Sequence, residues 1–488
     1  MRALHMPRTA SAPARWTVNS DHDAPRIMAS PPQITVATSP SLPKVWNAGS
    51  GSNSYQLASH AVGGHFTFCR GIGDTDGPTL GFRPAPVVTT SVGGERVPSG
   101  QQFSFLHEGD RLELHFQNNE RGYLLKIDGE YLSLTPEVTS GQTYSLINLG
   151  PRKLRRLDLI TYKSAFAGVR TGAGDTIYAA PIRGPRVICV GDSFTVADAD
   201  GWTNWFAESL GWDDVWTSGI GGTGYAKDAG GLALNWRDRV AADVIAYEPD
   251  VVFLHGSVND LSEEPGTVYE AVCDTLAQIR SALPGCVIAG GMNTPYGAEF
   301  WGADKLDIYN ASKSAFQRYG AAWLSTLELP YGVSAAQIGQ GASLMDSVSA
   351  GRPGNGGTPD IIAGQCGFRV NTSSTTPNTN LRVGATVEIG TGGTRERAVI
   401  TASAISGGRF VYAFDGEFQY AHTAGEPVRE VAPCYLTGNG STAAPTGWGN
   451  ADLYVGSDGY HPSPEGHRAL GQVNAAMLKQ HLREIGRI

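Results

Sequence analysis

Arg186–Thr195, RVICVGDSFT, is the stretch that decides how the rest of the chain is read. Val187, Ile188, Cys189 and Val190 form a short, wholly apolar run that stops at Gly191, Asp192 and Ser193. A strand buried on both faces of a parallel sheet has this composition, and the break at its end predicts a loop or helix start. The design recurs in PDVVFLHGSVND, residues 249–260, and in CVIAGGMNTP, residues 286–295. Between these runs lie helical segments at 201–211, 236–247 and 266–283; in the last, Val268, Val272, Leu276, Ile279 and Leu283 line one stripe. Strands and helices in alternation predict an α/β domain, a parallel sheet with helices on both faces, over residues 181–488.

Towards the N-terminus the texture changes. From about residue 43 to 180 short alternating stretches such as FSFLHEGDRLELHF, YLLKIDGEYLSL, TYSLINLG and RRLDLITY are separated by turn residues, which predicts a separate β-sandwich. Within it, Asp128-Gly129 of KIDGEY suits a two-residue hairpin turn. Residues 1–42 scatter Pro, Ser, Thr and Ala without a period and read as a flexible leader. Residues 341–376 are dense in Gly, Pro, Ser, Thr and Asn, and LRVGATVEIG, ERAVITASAISGG and RFVYAFDGEFQYA follow as hairpin-like strands. These do not suit a parallel core, so a small β-rich insertion is expected at 365–435.

Composition narrows the function. The 488 residues are 41% hydrophobic and 17% charged with a formal net charge of -9, a folded chain with no electrostatic reason to bind nucleic acid. Arg155 and Arg156 in LRRLDL read as a short basic spot. MRALHMPRTASAPARW lacks the continuous apolar segment of a signal peptide or membrane span, so transmembrane association is not expected. Location stays open between the cytoplasm and a particle that carries or releases the protein. Cys69, Cys189, Cys273, Cys286, Cys366 and Cys434 show no CxxC metal spacing and read mainly as free buried thiols.

Ser193 at the end of a buried strand either helps to cap the next helix, together with Asp192, or stands exposed on a turn whose backbone N–H groups favour developing negative charge. Late in the chain, SDGYHPSPEGH offers Asp458 three residues before His461. That spacing lets the carboxylate hold one imidazole nitrogen while the other exchanges a proton with a nucleophile; helix capping by Asp458 and Ser463 is the structural alternative. His467 reads as a solvated helix residue. SGIGGTGY, residues 218–225, supplies closely spaced N–H donors, and GSVND, residues 256–260, places Asn259 beyond the end of its strand, where open α/β sheets form their crevice.

In this order the motifs resemble those of the SGNH family of esterases and lipases, also called GDSL hydrolases. The resemblance rests on Gly191-Asp192-Ser193, on Gly222 with Gly221 as the near alternative, on Gly256-x-x-Asn259-Asp260 and on Asp458-x-x-His461, and it covers roughly residues 185–340 and 445–488. It implies a flavodoxin-like three-layer fold with Ser193 as nucleophile, Asp458 and His461 completing a triad, and Ser193, Gly222 and Asn259 forming the oxyanion hole. Two positions depart from the pattern: Ser218 stands where the family has asparagine, and Phe194 follows the serine. A jelly-roll-like β-sandwich ahead of such a domain is similar to the layout of some carbohydrate acetylesterases. The implied activity is removal of short acyl groups, above all O-acetyl groups, from a glycan, with neither cofactor nor metal. Alternatives are a glycan-binding or virion attachment protein with a secondary esterase site, and a broad short-chain esterase, lipase or thioesterase. Trp202, Trp205, Trp236, Trp301 and Trp448 are each either a sugar-stacking face or a core anchor. Oligomeric state is not readable.

Overall fold

The computed structural model describes residues 15–18, 25–47, 65–70, 72–74, 83–85, 91–92, 95–96, 101–161, 164–196, 200–230, 234–292, 303–326, 367–370, 386–389, 396–406, 409–414, 420, 428–430, 441–445 and 451–488. The chain divides into two compact units, Met1–His255 with Asp274–Ala289 and Leu470–Ile488, and Gly256–Cys273 with Gly290–Ala469.

In the first unit the N-terminal part is built on two long strands, Gln101–Ile127 and Thr143–Thr161. Leu157 faces both Phe105 and Ile127, and Thr161 faces both Gln101 and Tyr123, so two segments of the longer strand that run in the same direction flank the shorter on both sides. Hydrogen bonding thereby joins nine strands into one sheet. Phe103, Phe105, Leu112, Leu114, Phe116, Leu157, Leu159 and Phe166 fill its core. The hairpin at Lys126–Tyr131 turns through Asp128 and Gly129, both at positive φ, as a tight two-residue turn requires.

The leader expectation needs correction at its end. Ile34–Ala37 pairs antiparallel with Tyr144–Ile147, and the Glu113 carboxylate accepts from the Ser41 N–H at 2.9 Å and the Ser41 hydroxyl at 2.7 Å. This is an edge strand, bonded on one side and mostly exposed, so it shows none of the apolar alternation that reveals a half-buried strand.

The α/β core follows. Val187–Gly191, Val215–Gly219 and Val251–His255 are buried throughout and run parallel, with Gly191 beside both Gly219 and His255. Val287–Gly291 and the short Ala322–Trp323 complete the sheet, and in chain order its strands lie 2-1-3-4-5. That is the flavodoxin-like order, whose switch point lies between the first and third strands. The main helices are α1 (Trp202–Leu210), α2 (Trp236–Asp243), α3 (Pro265–Ala282), α4 (Ala303–Arg318) and a final one at Pro464–Glu484. Val268, Val272, Leu276 and Ile279 of α3 are buried, while Leu283 just beyond it is half-buried. In the second unit, Gly367–Val370, Thr386–Ile389, Glu396–Ser406, Arg409–Phe414 and Val428–Glu430 form a separate five-stranded antiparallel sheet.

Inside the first unit the nine-stranded sheet is fastened to the α/β core by arginines that reach buried carboxylates. Arg156 and Arg183 each reach Asp158 and Asp213, Arg186 holds Asp214 at 2.9 Å, and Arg70 donates to Asn204 at 2.6 Å and to the Asp213 carbonyl at 3.2 Å. Lys126 and Tyr131 both meet Glu208 of α1, at 2.6 and 3.1 Å. The basic spot in the sequence is therefore internal: Arg156 serves this network, and Arg155 is buried against the carbonyls of Leu149, Pro151, Lys153 and Gly109. Burial alone would raise the Asp158 carboxyl, but Lys126, Arg156 and Arg183 outweigh it and hold it down to about 2.

Candidate active site

Ser193 begins a single 3-10 turn, Ser193–Thr195, directly after the first core strand. Asp192, fully buried, caps that turn by accepting the Phe194 N–H at 3.0 Å, and the Thr195 N–H donates to the Asp192 carbonyl. Capping and exposure of the serine are thus not alternatives: Asp192 caps, and Ser193 stays half-buried while its neighbours are buried. Close packing demands glycine beneath it. A Cβ on Gly191 would overlap the Thr195 side chain, and one on Gly219 would overlap the Thr195 backbone.

Of the two candidate glycine donors, Gly221 lies beside the serine, since a Cβ there would stand 3.6 Å from Ser193 Cβ. Gly222 has φ +75°, a left-handed conformation that favours glycine. Under the turn lies a residue the sequence reading passed over. Arg239 of α2 is buried and donates to the Gly191 carbonyl at 2.9 Å, to Ser218 Oγ at 2.5 Å and to Asp243 at 2.7 Å. Its signal was present: Trp236, Arg239, Val240 and Asp243 share one helical stripe and all are buried, so a cation and an anion occupy core-facing positions.

In the second unit, Asp458 and His461 meet within a tight turn. Asp458 Oδ2 lies 2.6 Å from His461 Nδ1, while Oδ1 accepts the Tyr460 and His461 N–H groups at 2.9 and 3.0 Å. An ionised carboxylate only accepts, so the Nδ1 proton points at it and Nε2 is the basic nitrogen. Slight burial works to raise the Asp458 carboxyl, and the hydrogen bonds from His461 and the backbone bring it below its usual range. Helix capping falls to Ser463, whose hydroxyl accepts the Gly466 N–H at 3.0 Å. His467 is not the solvated residue expected: it is half-buried, and burial together with the charge of His461 pushes it down to about 4. Asn259, also in this unit, starts the 3-10 segment Asn259–Ser262, and its N–H donates to Ser257 Oγ at 3.0 Å.

Three of the candidate sugar platforms are removed by burial: Trp202 and Trp205 are 1% exposed and Trp236 is 0%. Trp301 and Trp448 lie outside the described residues. Cys69, Cys189, Cys273 and Cys286 are free and buried, and burial raises the Cys189 thiol well above its usual range; Cys366 and Cys434 lie outside the described residues. Among the described residues no helix is long and apolar enough to cross a membrane.

Residues 189–344 match the GDSL-like Lipase/Acylhydrolase family, a span that includes Ser193, Gly222 and Asn259 and ends before Asp458. No curated protein matches the chain. Among solved structures, a family two carbohydrate esterase from Clostridium thermocellum in complex with cellohexaose is 16% identical, covering 53% of this chain and 87% of that one at a TM-score of 0.41. An acetyl xylan esterase from the rumen bacterium Butyrivibrio proteoclasticus is 14% identical over 60% of this chain and 89% of its own, at 0.38. A salicylyl-acyltransferase from a tetracycline biosynthetic pathway is 14% identical over 55% and 85%, at 0.41. Ser193 after its buried strand, and most of the sheet of 2-1-3-4-5 order, fall on the same stretch of chain that is similar to the GDSL-like Lipase/Acylhydrolase family.

Proposed function

We propose that the protein is a serine esterase that removes short acyl groups, above all O-acetyl groups, from a carbohydrate. The observation that carries this reading is the 2.6 Å contact of Asp458 with His461 Nδ1, which leaves Nε2 as a base. In the proposed mechanism, His461 Nε2 takes the Ser193 hydroxyl proton as Oγ attacks the ester carbonyl. The resulting oxyanion is stabilised by the N–H groups of Ser193 and Gly222 and by the Asn259 amide. Collapse breaks the bond to the alcohol oxygen, which leaves with the proton from His461. Water, deprotonated by the same nitrogen, then attacks the acyl carbon; the bond to Ser193 Oγ breaks, Oγ takes the proton back from His461, and the acid leaves.

The choice of a glycan rests on the layout of the chain. A β-rich part, read here as a jelly-roll-like sandwich, stands ahead of the α/β domain, a layout similar to that of some carbohydrate acetylesterases. Acetate release from a panel of acetylated glycans, run beside model esters of two to twelve acyl carbons and with Ser193→Ala as control, tests the reading. Serine-dependent acetate release from a glycan supports it. Turnover of model esters alone keeps the esterase and rejects the carbohydrate, and binding without serine-dependent turnover of any ester rejects both.

A further inference from the structure

We propose that Arg239 is a positioning residue for the oxyanion hole, fixing the ends of two adjacent strands so that the backbone donors beyond them share one geometry. This rests on the reading of Ser193 as nucleophile. The guanidinium reaches the Gly191 carbonyl at 2.9 Å and the Ser218 carbonyl at 3.2 Å; Gly191 is the last residue of its strand and Ser218 the last but one of the neighbouring strand, where it faces Val190. Ser193 follows Gly191 by two positions, and Gly221 and Gly222 follow Ser218 by three and four. One rigid group therefore spans the two roots from which the proposed backbone donors grow. The Gly191 carbonyl also accepts the Ile220 N–H at 3.2 Å, tying the second loop back to the first strand.

A buried ion pair is a costly way to seal a sheet end, because well-packed apolar residues of the same volume are often as stable or more so. What an apolar stripe lacks is a planar set of donors that holds several acceptors at fixed angles, and lysine lacks it too. Asp243 completes the device by neutralising the guanidinium at 2.7 Å and accepting the Ser218 hydroxyl at 2.9 Å. Ser218, the position that departs from the family pattern, is thus explained by its neighbours: its side chain is enclosed between Arg239 and Asp243.

The double variant Arg239→Met with Asp243→Leu removes both charges and leaves no buried ion without its partner. It is compared with wild type, Arg239→Lys and Ser193→Ala for thermal unfolding, for kcat and KM on an activated acetate ester, and for the rate of inactivation by a serine-directed phosphonate. A positioning role predicts a folded double variant whose kcat is lower by about 100-fold at nearly unchanged KM, with slower phosphonate inactivation in parallel. Arg239→Lys, which keeps the charge without the fork, should not restore kcat. If the double variant does not fold, Arg239→Lys decides alone: kcat lower by about tenfold at unchanged KM supports the role, and wild-type kcat overturns it. A folded double variant with wild-type kcat makes Arg239 purely structural and overturns the proposal while the esterase stands. Full turnover by Ser193→Ala overturns the nucleophile assignment and this inference with it.

Discussion

Around Ser193, Asp192, Phe194 and Thr195 are buried, a buried guanidinium grips the preceding carbonyl, and two glycines admit the turn against the sheet. Around His461 the surroundings are open: the His461 and Asp458 side chains are 41% and 52% exposed, and their geometry comes from one carboxylate serving three hydrogen bonds within four residues. The Ser193 turn is thus specified by long-range packing and the His461 turn by its own local sequence. Damage to packing should cost most on the first side, and water should partly compensate for losses on the second.

The sharpest break in that comparison is Ser193→Ala. Under the proposed mechanism it lowers kcat by roughly 10⁴-fold or more. The half-buried hydroxyl bears little of the packing, so the unfolding temperature should stay near that of wild type. Gly219→Ala attacks the same turn through its packing. Its Cβ overlaps the Thr195 backbone, which no side-chain rotation relieves, so we expect kcat about 100-fold lower and a stability loss of about 1–3 kcal/mol. Wild-type kcat in a stable Gly219→Ala protein would show that the turn tolerates displacement and is not the seat of the reaction.

On the other side, Asp458→Asn keeps an acceptor for the two backbone N–H groups but loses the ionised partner of Nδ1. A fall in kcat of roughly 10- to 100-fold is expected, smaller than for a buried orienting aspartate because solvent reaches this pair. The sign of the pH dependence follows from the lowered carboxyl: its orienting contribution is present above the usual carboxylate range near pH ~4 and is lost as pH falls through the depressed value. The ratio of wild-type to variant kcat should therefore hold steady from neutral pH down to about 4 and shrink below it. A ratio near one at pH 7 would remove Asp458 from the mechanism.

The junction between the nine-stranded sheet and the α/β core resembles the Ser193 side in being assembled over long range around buried carboxylates. Asp158, held down to about 2, contributes stability that is complete above the usual carboxylate value and is lost as pH falls from about 4 towards 2. The contribution is on the order of 2 kcal/mol. Thermal melts at pH 7 and pH 3 should show a larger drop for wild type than for Asp158→Asn, and equal drops would mean that other carboxylates govern acid unfolding.

These two modes of construction also explain what could be read from sequence. The Val187–Gly191 strand and its parallels are apolar on both faces and stop at glycine, and the Asp458-x-x-His461 contact lies within four residues, so both are visible in short windows. The junction is not: Arg70, Asp158, Arg183 and Asp213 are far apart in the chain, and a charge looks solvated until its partner is known. Arg239 was hidden differently, since it and Asp243 share the buried stripe of α2 with Trp236 and Val240, and two charges on a stripe read as solvent-facing until packing makes them internal. The edge strand Ile34–Ala37 was missed because exposure removes its alternation.

The smallest expected effect sets the scale for local specification. Gly459 sits between Asp458 and Tyr460 with φ +73°, and its N–H donates to the Gly456 carbonyl, closing the turn that presents His461. A Cβ there meets nothing within 4 Å, so Gly459→Ala costs only the backbone strain of a left-handed alanine, about 1–2 kcal/mol. The turn retains three other restraints: the two N–H bonds to Asp458 and the 2.7 Å bond from the Gly456 N–H to the His461 carbonyl. We therefore expect kcat within about threefold of wild type, measured beside Gly219→Ala, where a similar methyl group meets backbone. A loss of kcat as large as that of Gly219→Ala would mean that the His461 turn is as intolerant as the Ser193 turn, and that local hydrogen bonds alone do not set the position of His461.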